Sequence, residues 1–229
     1  MPLEYTLIRS KRRTVALVVQ PDASLLVRAP LRLPERQIRE WLESKQDWIA
    51  QKQAEARAAQ HSAPPPKRFA SGEKFAYLGQ FYPLEIVERA RPALALEDGH
   101  FRLARAAQAH GVQVFEKWYR AQAAKVLPER VQAHLPLFAL FGYRPSKVRI
   151  SGARTRWGSC SSSGTLSFTW RLMASPPEVI DYVVLHELAH LRIKNHSKQF
   201  WGLVKSLMPD YAKRRAWLKA NGEKYARHE

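Results

Sequence analysis

At the N-terminus, apolar and polar positions alternate in short runs. Thr14–Val19 and Ser24–Arg28 favour β structure and are separated by the turn signal Pro21-Asp22. Tyr5–Arg9 adds a preceding strand through the basic turn Ser10–Arg13. Together they predict a β-meander. The period then lengthens. Pro34 suits the first position of a helix, where its missing N–H costs nothing. From there Ile38, Trp41, Leu42, Trp48 and Ile49 recur at helical spacing over 34–60. Both tryptophans on that stripe are expected in the core. Ala54–Ala59 dilutes the stripe, and Ala63–Pro66 ends the helix in a stiff linker, 61–67.

A second β section runs from Phe69 to Ala104. Lys74–Leu78 and Phe81–Val87 flank Gly79-Gln80, while Ala93–Leu96 and His100–Leu103 flank Asp98-Gly99, the stronger hairpin signal. The two β sections can share one sheet. From Gly111, positions Val114, Phe115, Trp118, Ala121 and Lys125 trace one helical face, and a further helical segment passes Val131 towards Leu140. Pro128 and Pro136 leave its boundary open. Lys147–Ser151 then reads as a strand, and Arg156–Cys160 with Thr165–Arg171 as a hairpin turning at Ser161–Gly164. The order of elements predicts an α+β chain. Its N-terminal region, 1–105, is β-rich with one long helix; its second domain, 106–229, is compact and combines a buried helix with a short antiparallel sheet.

That buried helix is opened by Pro176, Pro177 and Glu178, a proline and an acid suited to a first turn. Between Val179 and Leu191 it is apolar nearly all round, so it belongs inside a domain. Yet it carries His186, Glu187 and His190, the H-E-x-x-H pattern. Positions four apart share a helix face, so both histidines can grip one metal ion, with Glu187 beside them as a proton acceptor for an attacking water. The bland reading is a chance pentapeptide. Against it, buried polar groups must be satisfied, and one divalent cation satisfies all three at once.

A tetrahedral hydrolytic zinc site takes three protein ligands and leaves one position for water. The first candidate for the third is His196, separated from His190 by Leu191–Asn195. The same spacing occurs in the longer H-E-x-x-H-x-x-G-x-x-H pattern, but Ile193 stands where that pattern has glycine. Asn195, tolerant of left-handed backbone, is expected to make the turn. The rival is a carboxylate, and Asp210 is the first acid after the motif. Arg156, Tyr182 and Tyr211 are candidates for stabilising a developing oxyanion or touching substrate, each with a structural role as the simpler reading. Extended peptides bind exposed strands by β-augmentation, and either strand of the Arg156–Arg171 hairpin offers such an edge. Cys160 has no paired base and reads as a small core residue.

Composition narrows the setting. The chain has 229 residues, enough for a sizeable core, and its one cysteine excludes an internal disulfide, which fits a reducing compartment. No secretory signal opens it and no apolar run approaches a bilayer span, so a cytoplasmic protein without a membrane partner is expected. Its net charge of +18 favours polyanions and allows non-specific association with nucleic acid, although acids interleave with the bases in several helices. Two other functions compete with a metal-dependent peptide hydrolase. One is a metal-dependent nucleotide phosphohydrolase using the basic residues between Arg144 and Arg156; it lacks a glycine-rich phosphate loop. The other is a non-catalytic nucleic-acid-binding protein with structural zinc, which has no use for Glu187.

Arg156–Ser161, Trp170–Leu172, Asp181–His190, Asn195–Ser197 and Phe200-Trp201 together resemble the YgjP-like metallopeptidases, relatives of the SprT-like and WLM proteins. The similarity is dense from Lys147 to Leu218. The resemblance implies a β-rich N-terminal region followed by a zincin-like domain. It also implies one zinc ion on His186, His190 and His196, Glu187 as catalytic base, and peptides or unfolded proteins as substrate. SprT-like relatives include proteases acting on DNA-bound proteins; no separate DNA-binding module is recognisable in this chain.

Overall fold

The computed structural model describes residues 3–61, 67–139 and 142–226. The architecture is mixed α+β with three small sheets among the described residues, and the chain divides into two compact units, Met1–Pro66 and Lys67–Glu229. The division therefore falls ahead of the second β section rather than at 105/106. Nearly all of the linker expected over 61–67, and the end of the segment running to Leu140, lie outside the described residues.

In the first unit, β1 (Thr6–Ser10), β2 (Ala16–Val19) and β3 (Leu25–Pro30) form a sheet in the order β1-β3-β2. β1 pairs parallel with β3, so the sheet is not a meander. β3 takes the centre because it alone buries a complete alternate face: Leu25, Val27 and Ala29. The helix expected over 34–60 is two helices, α1 (Glu35–Glu43) and α2 (Gln46–His61). At the break, the Ser44 hydroxyl donates to the Trp41 carbonyl at 2.7 Å, a side chain competing for a helical acceptor. The break rephases the stripe. Ile38, Leu42 and Ile49 join the β3 core, Trp41 is only partly buried against it, and Trp48 is 42% exposed, contrary to the expectation that both indoles are core.

The second unit begins with β4 (Lys74–Tyr77), β5 (Gln80–Val87), β6 (Leu94–Glu97) and β7 (His100–Ala104), ordered β4-β5-β7-β6. Two hairpins close on the central pairs Leu78-Gly79 and Asp98-Gly99, where both residues have positive φ, as a tight right-twisted hairpin demands. This sheet is separate from that of the first unit. A 3-10 turn (Arg105–His110) leads into α3 (Gly111–His134), which buries Phe115, Tyr119, Ala123, Leu127 and Val131, every fourth residue. Pro128 does not interrupt it; the short α4 (Pro136–Ala139) follows. Phe75, Phe101 and Phe115 share one core with the helices downstream, and Tyr119 donates to the Ala76 carbonyl at 2.6 Å. This packing is why residues 67–105 belong with the second unit.

β8 (Lys147–Ser151), β9 (Gly158–Cys160) and β10 (Thr165–Thr169) follow. β9 and β10 form the expected hairpin, but β8 runs parallel to β10, so the sheet is mixed rather than antiparallel. A 3-10 turn (Trp170–Ala174) then leads to α5 (Pro177–Arg192), α6 (Lys198–Leu207) and α7 (Tyr211–Ala226). α5 is packed by α3, α6, α7 and β9, which explains a sequence apolar on every side. Among the described residues no helix is long and apolar enough to cross a membrane.

Candidate metal centre

α5 starts with Pro177 in its first turn, and the backbone N–H groups of Val179 and Ile180 donate to the Pro176 carbonyl. One turn in, Asp181 accepts from Arg130 of α3 at 3.2 Å and lies 3.3 Å from His134, fixing the helix against its neighbour. Burial raises the Asp181 carboxyl, but His134 and Arg130 outweigh it, leaving the group below its ordinary value.

His186 and His190 sit one turn apart on α5, and the helix ends immediately after them. Ile193 adopts extended backbone, φ −125° and ψ 109°, a conformation a β-branched residue favours. Its N–H donates to Ala189 and its carbonyl accepts the Nδ1–H of His190 at 2.9 Å. A carbonyl can only accept, so His190 carries its proton on Nδ1 and offers a lone pair at Nε2. Asn195 does not take the left-handed conformation expected of it. Its side chain instead accepts from the Ser197 N–H at 3.3 Å, and the Ser197 hydroxyl accepts from the Phe200 N–H at the start of α6. An extended exit needs no glycine at Ile193.

The turn brings His196 back over α5. Its Nε2 lies 3.0 Å from Nε2 of His186 and 3.1 Å from Nε2 of His190. Three nitrogens, one of them a fixed lone pair, cannot all be satisfied by each other's protons. A cation satisfies them. Zn–N bonds of about 2.0–2.1 Å in a tetrahedron put ligand nitrogens about 3.3 Å apart, within a few tenths of the observed separations. His186 and His190 are also held neutral, as ligands must be. Burial pushes His186 down to about 3, helped by His190, His196 and Arg215, and burial lowers His190 despite its bond to Ile193. The donor set fits zinc. The rival ligand Asp210 is engaged by Arg214 at 2.9 Å. Nδ1 of His186 is buried without a partner, and nothing in the structure accounts for it.

Around the imidazoles stands an aromatic shell. Phe200 stacks on His190 with ring centres 4.4 Å apart, and Trp201 stacks on His196 at 5.6 Å. Tyr211 stacks on Trp201, and Tyr182 is buried with its ring 5.9 Å from His186. Glu187 is 6% exposed; burial raises its carboxyl to about 7, while the charge of the exposed Arg156 pulls it back. The three sequence candidates therefore stand in different places: Arg156 acts on Glu187, Tyr182 lines His186, and Tyr211 stacks on Trp201, which stacks on His196. Cys160 is half-buried against the core with its thiol raised by burial, in keeping with a packing role.

One residue of the site escaped sequence reasoning. Gly158, on β9, lies directly against the Glu187 side chain: a Cβ there would stand 2.6 Å from Glu187 Cγ and 2.7 Å from Oε1. The available signal was a glycine inside a strand, which often marks close approach of another group.

The YgjP-like metallopeptidase domain matches this chain over residues 13–221. The chain belongs to that family. Membership makes it a metal-dependent hydrolase of peptidase type, and a metal, typically zinc, is implied by it; the three histidines lie close enough together to hold one. Among solved structures, the metallopeptidase zymogen of Pyrococcus abyssi abylysin is similar at 25% identity and a TM-score of 0.35, over 41% of this YgjP-like chain and 94% of that one. No curated protein matches.

Proposed function

We propose that this YgjP-like protein is a zinc-dependent peptidase that holds one zinc ion on His186, His190 and His196 and uses Glu187 as general base. One observation carries the reading: a buried carboxyl lies on the same helix as two histidines whose Nε2 atoms converge with that of His196. When bound, zinc supplies Lewis acidity that acidifies a water and polarises a carbonyl. Glu187 accepts the proton of the attacking water and passes it to the leaving amine, a task suited to a carboxyl whose burial places it near neutral pH. Gly158 leaves the space in which that carboxylate sits, and Arg156 stabilises its ionised form. Arg156, Tyr182 and Tyr211 are the groups assigned to oxyanion or substrate contact.

β10 lies between β8 and β9, so β9 is the strand of the hairpin with a free edge among the described residues, and it packs on α5. An extended peptide or unfolded segment adding to β9 would pass beside Glu187.

The test is a paired screen of zinc-loaded wild type and Glu187→Gln against unfolded proteins, peptides and nucleoside triphosphates. Peptide cleavage present in wild type and absent from a zinc-replete Glu187→Gln is the expected result. Wild-type turnover by that variant, or loss confined to nucleoside triphosphates, would overturn the reading.

A further inference from the structure

Beside the metal centre lies a depression of about 420 Å³ lined by Lys198, Trp201, Gly202, Lys205, Tyr211 and Arg215. It opens between the start of α6 and the start of α7. We propose that this depression is a subsite for a substrate carboxylate next to the scissile bond, making the protein selective for acidic peptides. The inference rests on the peptidase reading above.

Three observations converge on it. First, the depression adjoins the site through a shared wall: Trp201 stacks both on His196 and on Tyr211, and the Arg215 guanidinium lies over the same indole, 4.6 Å from its ring centre. Arg215 is near enough to the ligands for its charge to act on His186 and Tyr182.

Second, the charge is one-sided. From Leu191 to Gly222 the chain carries a single acid, Asp210, and Arg214 already occupies it. Lys198, Lys205 and Arg215 have no carboxylate partner among the described residues. Three cations without a carboxylate partner around one concavity raise the local positive potential and attract an anion.

Third, the chemistry suits a carboxylate on a flexible chain. A guanidinium held over an aromatic face keeps its N–H edge free for a planar two-oxygen acceptor. The indole and phenol beside it offer apolar surface to the methylenes of an aspartate or glutamate. A chain-terminal carboxylate has the same head group, so the experiment must separate the two sources.

Gly202 gives a clean handle. It lies within α6, and a Cβ added there would meet nothing within 4 Å. Gly202→Glu therefore adds a side chain to the lining with room for its Cβ, and at a helical site where glycine is itself unfavourable. Binding is measured by fluorescence anisotropy in the zinc-loaded Glu187→Gln background, so that no peptide is consumed. The probes are short labelled peptides differing only by one Glu or Gln, each with a free or amidated terminus.

The Glu peptide should bind about five- to tenfold more tightly than the Gln peptide, as expected for an exposed multi-cation site. High salt should compress that difference, and Gly202→Glu or Lys198→Gln/Lys205→Gln should abolish it. A preference that follows amidation instead assigns the chain terminus as the bound carboxylate. Equal binding of all four peptides would overturn the proposal. So would tighter binding of a single-stranded oligonucleotide that weakens in parallel in Gly202→Glu, since the site would then hold phosphate.

Cleavage by wild type is scored separately. Turnover without charge preference in binding removes the subsite and leaves the peptidase. A charge preference without turnover does the reverse.

Discussion

Gly158→Ala tests the geometry of the proposed base at a residue outside the proposed ligand set. The added methyl would stand 2.6 Å from Glu187 Cγ, 2.7 Å from Oε1 and 2.9 Å from Cδ. Carbon atoms in ordinary contact lie about 3.5–4.0 Å apart, so roughly 1 Å of movement is forced on one partner. β9 cannot easily retreat, because Gly158 is paired with Phe168 in the ladder and the strand packs on α5. Glu187 is the partner that can give, since a side chain can change rotamer where a paired strand cannot, although at 6% exposure it must leave its present position to do so. The carboxylate must therefore rotate away, and a misplacement of about 1 Å at a reacting group costs on the order of 100-fold in rate. Overpacking adds about 1–3 kcal/mol of destabilisation.

The assay is kcat and KM on a cleaved peptide, with zinc content and thermal midpoint followed in parallel. Expected are a large fall in kcat, a small change in KM, full zinc occupancy and a modestly lowered midpoint. In a Glu187→Gln background the alanine should cost no further activity, since both changes disable one group. Wild-type kcat in Gly158→Ala would refute both the placement of Glu187 and its role. A fall in kcat matched by lost zinc would assign Gly158 to metal-site architecture instead.

His196→Ala should weaken zinc binding by at least about 10- to 100-fold, the range that even supporting residues command, read by elemental analysis after dialysis against a chelator; undiminished zinc would return the third position to Asp210. Asp181→Asn should destabilise the fold by about 1 kcal/mol by leaving Arg130 and His134 without their acid, measured by denaturant unfolding. Because the Asp181 carboxyl sits below its ordinary value when folded, its stabilisation is present above the ordinary carboxylate range and is lost as pH falls through the lower folded value; the variant should lack that share of the acid-side loss.

The convergence of His186, His190 and His196 was legible because its signals are local. A helix apolar on all sides, two histidines and a glutamate within one turn, and a third histidine just past its end can be read from adjacent residues. The turn was less so. Asn195 is a good residue for left-handed backbone, but the chain leaves α5 in extended form at Ile193 and uses the Asn195 side chain as an acceptor. Sequence preference names what a residue tolerates, and the carbonyl needed by His190 decided among the options. Pairing was the least legible. The strands of the first unit were found, yet nothing in their alternation says that β3 lies between the other two. Gly158 and Glu187 likewise meet only in three dimensions. The domain boundary failed for a similar reason: the fall from β to helical periodicity near residue 105 is real, but Phe75, Phe101 and Phe115 pack across it.

One physical cause unites the proposed ligands and the proposed base. Removing a group from water disfavours its charged form, so the same burial acts in opposite directions on an imidazole and a carboxyl. In α5 it keeps His186 and His190 unprotonated, the state in which they can bind a cation, and it lifts Glu187 towards neutral pH, where it can both take and return a proton. A more polar α5 would lose both effects together. The apolar residues that fill Val179–Leu191 therefore do more than pack the core. They set the protonation states of His186, Glu187 and His190, an effect that a surface loop could not supply.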